Sequence, residues 1–187
     1  MSTQPDKRPV AWSSALKLFH WTSVILMLVL FVLGWMAVVY PLSPAKLDLF
    51  KWHKSLGLLL MAWVIVWLAW RVMHRVPGLP GEMSPGEKRV TRLAHGLLFA
   101  AMIAMSISGW VINSSANFPL EWFGLFRVPQ IAAPDKEIQD AASLVHLALF
   151  WTVIAVLIVH VAAALQHHFV RRDNILLRML PFTKARK

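Results

Sequence analysis

The stretch "LVHLALFWTVIAVLIVHVAAALQHH", residues 144–168, decides how the chain is to be read. It is a long apolar run without a charged residue, yet it contains His146 and His160, and it closes on His167 and His168. An imidazole left unsatisfied in an apolar setting is costly, so each of the two inner histidines needs a partner. They stand fourteen residues apart, close to four helical turns, and so project from nearly the same face of one helix.

Composition identifies the solvent around this stretch. The 187 residues are 58% hydrophobic and 15% charged, with a mean hydropathy of +0.58 and ten Trp. Soluble domains of this length are not so apolar, and long uncharged runs belong in a bilayer. Four apolar segments, roughly 15–39, 51–70, 93–112 and 141–169, are each about long enough to cross it as a helix. The first follows Lys7, Arg8 and Lys17, as a secretory signal would. Its apolar stretch is too long for a signal and lacks a small-residue cleavage site, so it reads as a retained span. Cysteine is absent, which excludes disulfides, thiolate zinc sites, iron–sulfur clusters and covalent attachment of a c-type haem.

The net charge of +10 is distributed unevenly along the chain. The N-terminus, the second connection and the C-terminus carry 14 of the Lys and Arg residues, and the first and third connections carry 5, with the acidic residues divided 4 and 5. Such asymmetry in short loops places both termini in the cytoplasm and makes anionic lipid, not nucleic acid, the neighbour of the basic surface. "YPLSPAKLD" (40–48) and "HRVPGLPGEMSPGEK" (74–88) are Pro- and Gly-rich breakers between spans. "FPLEWFGLFRVPQ" (118–130) suits an interfacial lid or a short helix. No repeat, low-complexity tract or second domain is visible. The expected fold is all-α, one transmembrane domain over 1–187 forming a four-helix up-down-up-down bundle.

Topology then assigns the histidines a depth. His20 and His160 share the cytoplasmic-side level, and His53 and His146 share the periplasmic-side level. The levels are about 21 Å apart at 1.5 Å per residue. Zinc would recruit three or four ligands at one point, often including a carboxylate, and no Asp or Glu lies within the spans. Two stacked bis-imidazole sites fit the axial ligation of two non-covalent b haems better. A single such histidine is as readily a hydrogen-bonded packing residue; four that pair by depth and face favour ligation.

Other residues retain alternatives. His95 can bond a haem propionate, line a quinone pocket or sit satisfied in the core. Lys51 and Lys54 near His53, and Arg71 and Arg75 at the end of span two, can pair with propionates or equally with lipid headgroups. Gly57 lies one turn after His53 on the same face, where a porphyrin edge would need space; Gly34 and Gly109 serve that purpose or helix–helix contact equally well. His74, His167 and His168 fall at the cytoplasmic boundary as interfacial residues. No residue is assigned a catalytic role.

"SSALKLFHW" (13–21), "WHKSLGLLL" (52–60), "AHGLLFAAMIAMSISGW" (94–110) and the C-terminal run from Val145 through "DNILLRMLP" (173–181) together resemble the bacterial cytochrome b561 family over nearly the whole chain. The resemblance implies a bacterial inner-membrane protein with two non-covalent b haems, one on His20 and His160 and one on His53 and His146. It matches His95 to a recurrent third-span histidine of uncertain duty. It also implies electron transfer to the quinone pool, with oxidation of superoxide by ubiquinone in similar stand-alone members. Superoxide is a small anion that Lys51 and Lys54 would attract, and iron with both axial positions filled has no open site for oxygen. Two other functions compete: a haem-containing anchor subunit relaying electrons between a dehydrogenase or hydrogenase partner and quinone, and a haem-binding sensor or carrier without turnover.

Overall fold

A computed structural model describes residues 12–74, 78 and 83–181. Arg75, together with Lys7, Arg8, Lys184, Arg186 and Lys187, lies outside the described residues. Four long helices dominate: α1 (Ser14–Val39), α2 (Pro44–Met73), α3 (Pro85–Ser115) and α4 (Lys136–Phe169). Each is long and apolar enough to cross a membrane. The helices outrun the apolar segments that announce them. α4, for instance, has 34 residues, about 51 Å at 1.5 Å per residue, against a hydrocarbon core of about 30 Å.

The breaker segments prove to be helix starts as much as interruptions. In each of the two Ser-Pro pairs the serine is the N-cap and the proline opens the helix, where its missing N–H costs nothing. Ser43 accepts from Lys46 N, and Ser84 forms a reciprocal capping box with Glu87. Ser13 caps α1, and Asp135 caps α4 through Glu137 N and Ile138 N.

Consecutive helices pack in chain order, α1 on α2, α2 on α3 and α3 on α4. Two small clusters form the core. Leu16, Phe19 and Trp67 anchor the end of the bundle that carries the start of α1; Leu60, Val64 and Met102 fill the middle. The Ser106 hydroxyl on α3 donates to Gly57 O on α2 at 2.9 Å, a direct tie between two apolar helices. Apolar side chains such as Ile25, Leu28, Trp35, Trp151 and Ile158 point outward, as lipid contact requires.

Segment 118–130, expected as an interfacial lid or a short helix, is not helical. It folds as an antiparallel hairpin, β1 (Leu120–Trp122) on β2 (Phe126–Val128), with Trp122 opposite Phe126. Phe123 and Gly124 turn the chain with φ of 51° and 74°, a left-handed pair closed by Leu125 N donating to Trp122 O. Buried Ser55 on α2 holds the hairpin down, donating to Glu121 O and accepting from Phe123 N. A five-residue helix, α5 (Ile175–Met179), docks at the opposite end of the bundle. There Lys17 Nζ donates to Leu180 O at 2.7 Å, Trp21 Nε1 to Met179 O at 2.9 Å and Trp12 N to Arg178 O at 3.2 Å. Arg171, just past α4, pairs with Glu87 at the start of α3. Its guanidinium is held above its usual pKa by that carboxylate.

Candidate functional site: two facing histidine pairs

The bundle brings together the histidines that sequence depth paired. Towards the hairpin end, His53 on α2 faces His146 on α4 with ring centres 6.4 Å apart. Towards the α5 end, His20 on α1 faces His160 on α4 at 6.3 Å. These separations have a chemical meaning. A metal–imidazole bond of about 2 Å, added to a ring centre about 1.2 Å behind its nitrogen for bonds of ~1.3–1.4 Å, would place two collinear imidazoles on one metal with centres roughly 6.4 Å apart. Both pairs meet that spacing. His95 on α3 stands only 5.2 Å from His160, too close to share a metal atom with it in this way.

Hydrogen bonds fix the tautomers at the hairpin-end pair. His53 Nδ1 lies 3.1 Å from Leu30 O; a carbonyl only accepts, so Nδ1 carries the proton and Nε2 keeps its lone pair. His146 Nδ1 lies 2.9 Å from the Ser108 hydroxyl, whose own proton goes to Met105 O at 2.9 Å. The Ser108 oxygen therefore accepts from His146 Nδ1–H, and again Nε2 is left as a ligand atom.

Glycines make these bonds possible. In a helix the carbonyl of residue i is flanked by the side chain of residue i+4. Gly34 stands four residues after Leu30, and a Cβ there would come within 3.0 Å of His53 Cε1 and 3.3 Å of Nδ1. Gly109 stands four residues after Met105, and a Cβ there would lie 3.4 Å from His146 Cε1. Helices α1 and α3 thus repeat one device, a glycine that uncovers a backbone carbonyl beside a histidine of the neighbouring helix. Gly57 differs, since a Cβ there would meet no protein atom within 4 Å; such space accommodates a bound group.

The α5-end pair sits among aromatics. His20 packs edge-on to Trp21 and Trp67, with centroids at 5.4 Å and 6.3 Å. The buried Trp67 Nε1 is left without a hydrogen-bond partner, a donor suited to a bound acceptor. His95 Nδ1 donates to Thr91 O at 2.7 Å, which leaves its Nε2 available as an acceptor. Arg71 lies over the Phe99 ring at 5.7 Å in the last turn of α2.

Of the remaining predicted residues, Lys54 stands beside the hairpin-end pair and the others lie away from both pairs. Lys54 is half-buried, its ammonium 6.0 Å from the Phe50 ring and 5.7 Å from that of Phe118 beside the hairpin. Lys51 is exposed next to Asp48. His74 caps the end of α2, bonding Trp70 O and stacking on the Trp70 ring. His167 bonds Asp173 at 2.5 Å in the turn that leads to α5. Sequence reasoning did not single out Ser108 or the Leu30 and Met105 carbonyls. Ser108 sits beside Gly109 in the "SGW" of span three, but a serine in an apolar helix ordinarily bonds its own preceding turn.

Four membrane-length helices present histidines in two facing pairs, the arrangement expected of a membrane-embedded b-type cytochrome. The family model described as prokaryotic cytochrome b561 matches residues 11–182, and the chain belongs to that family. It is 34% identical over 169 residues to cytochrome b561 homolog 2 of Escherichia coli (strain K12), covering 87% of each chain. It is 26% identical over 167 residues to the probable superoxide oxidase CybB of Yersinia pestis, covering 87% of this chain and 91% of that one. Cytochrome b561 homolog 1 of Escherichia coli (strain K12) is 24% identical over 170 residues, with 88% and 94% covered. The chain is accordingly a bacterial membrane protein of a haem b family.

Proposed function

We propose that the chain is one membrane domain holding two b haems, His53 and His146 ligating one and His20 and His160 the other, and that it passes electrons from superoxide to ubiquinone. The observation that carries the ligand set is the spacing of the two facing pairs, 6.4 Å and 6.3 Å between ring centres. Haem b, held by these pairs, would supply one-electron redox chemistry.

The protein's own residues supply the rest. Leu30 O and Ser108 hold His53 and His146 in the tautomer that presents Nε2. Because each pair supplies two imidazoles, haem held there would exchange electrons with a donor without ligating it. Lys54 at the hairpin end, and Arg71 and His95 at the other, lie where haem propionates need cationic or hydrogen-bonding partners. The charge asymmetry supports an orientation with the hairpin end in the periplasm and both termini in the cytoplasm. A periplasmic superoxide meets Lys51 and Lys54 there, and anionic lipid neighbours the basic opposite face.

Superoxide as donor is supported by the relative from Yersinia pestis, whose name reads probable superoxide oxidase. The reaction balances: two superoxide ions each lose one electron to become oxygen, and ubiquinone takes two electrons and two protons to become ubiquinol. Stopped-flow addition of superoxide to the purified protein with ubiquinone tests this. The expected result is ubiquinol formed at half the superoxide consumed beyond its spontaneous dismutation. A protein with both haems bound and no coupled ubiquinol would instead be a relay for a protein partner, and the superoxide assignment would fall.

A further inference from the structure

The two histidines at the hairpin end are held by different acceptors. His53 donates directly to a backbone carbonyl, Leu30 O, which no substitution of residue 30 removes. His146 occupies the equivalent place on the α3 side, yet its Nδ1–H goes to the Ser108 hydroxyl, and the hydroxyl passes its own proton to Met105 O. Ser108 is 7% exposed and set in apolar surroundings, so this two-bond chain works in a low dielectric, where each bond polarises the next. A hydroxyl that is already donating is a better acceptor than a free one. Ser108 therefore draws electron density towards the His146 ring.

We infer that Ser108 is a positioning residue that fixes the ring orientation and donor strength of His146, and thereby sets the reduction potential of the haem on that side. The inference rests on the proposed role of His146 as an axial ligand. One observation supports a specific role in place of simple packing: a buried hydroxyl lies 2.9 Å from His146 Nδ1. Met105 O, to which that hydroxyl donates, also lies within reach of His146, so Ser108 sets how the ring is shared between the two acceptors. An outer partner of this kind raises ligand basicity and typically matters 10–100-fold to a metal site. A more basic imidazole stabilises the ferric state, so Ser108 holds the potential down.

The test compares Ser108→Ala and Ser108→Thr in the full-length protein, using haem stoichiometry, redox titration and low-temperature electron paramagnetic resonance. The wild type must first show two low-spin haems; fewer would defeat the proposed ligand set and not this inference alone. Ser108→Ala is expected to keep both haems low-spin and to favour the ferrous state of one about tenfold, a rise of about 59 mV for a one-electron couple. The low-spin signal of that haem should shift while the other haem is unmoved, and Ser108→Thr should restore both readouts. An unmoved potential and signal would overturn the inference. A lowered potential would also overturn it, because His146 would then have taken Met105 O as its stronger acceptor, as His53 takes Leu30 O. If Ser108→Ala does not fold, Ser108→Thr with a wild-type potential supports the assignment, and Ser108→Gly provides the second hydroxyl-free variant on which it can fail.

Discussion

Gly34→Ala offers the sharpest use of the geometry. A Cβ at residue 34 would lie 3.0 Å from His53 Cε1 and 3.3 Å from Nδ1. Carbon atoms in contact prefer about 3.5–4.0 Å, so the ring must retreat by roughly half an ångström. That retreat lengthens the His53 Nδ1–Leu30 O bond beyond its present 3.1 Å, to the edge of hydrogen bonding. Overpacking of this kind costs about 1–3 kcal/mol, and the lost hydrogen bond about 0.5–1.5 kcal/mol. A combined cost of about 2 kcal/mol would weaken haem retention at the His53 site roughly thirtyfold. Gly109→Ala is the internal control. Its Cβ would meet His146 Cε1 at 3.4 Å, near ordinary contact, so its effect should stay within about threefold. The assay is haem content and reduced-minus-oxidised spectra of both variants during competition with an apo-haem-binding protein. Equal retention by Gly34→Ala and wild type, or greater loss in Gly109→Ala, would refute the claim that Gly34 gives His53 access to its backbone anchor.

Other substitutions address the remaining features. His146→Ala and His160→Ala should each leave one low-spin haem per chain, and a different one in each case, as read by spectral deconvolution; retention of both in either variant would displace that ligand. Gly57→Ala meets no protein atom within 4 Å, so it should leave melting of the haem-free chain unchanged while lowering haem occupancy, separating space kept for a cofactor from space needed for packing. Lys17→Met removes the donor to Leu180 O, and Trp21→Phe the donor to Met179 O, so each should speed proteolysis or hydrogen exchange at α5 without altering haem content. Because the natural chain lacks cysteine, single cysteines at Ala132 and at Thr183 can be labelled in intact cells with an impermeant maleimide. Labelling at the first and protection at the second are expected, and the reverse pattern would invert the topology.

Much of this was legible before any coordinates. Span number, and the pairing of His20 with His160 and of His53 with His146, follow from hydropathy, from charge asymmetry and from a fourteen-residue interval that keeps one helix face. Periodicity and depth survive translation into structure because a membrane helix has little freedom in rise or register. The hairpin at 118–130 was not legible. Its aromatics read equally as lid or helix, and the turn depends on Phe123 taking a left-handed conformation that only the neighbouring Gly124 hints at. The Ser-Pro pairs were visible as breakers, but their role as caps emerges only where the following helix begins.

The finer site was less legible still. Gly34 and Gly109 read equally as cofactor space or helix contact, and the structure favours the second, each glycine letting a histidine of the neighbouring helix approach closely. Ser108 resembles any small residue on an apolar helix until His146 is seen 2.9 Å away. Such contacts join residues far apart in sequence through backbone atoms, which carry no side-chain signal. His95 gained a neighbour, His160 at 5.2 Å, and its three alternatives stand.

The central claim is that this chain holds two haems on four named histidines. The most direct measurement is a pyridine haemochrome assay on the purified, quantified protein, paired with its reduced-minus-oxidised spectrum. Two b haems per chain, both low-spin, are predicted; one haem or none would contradict the two facing pairs as ligand sites.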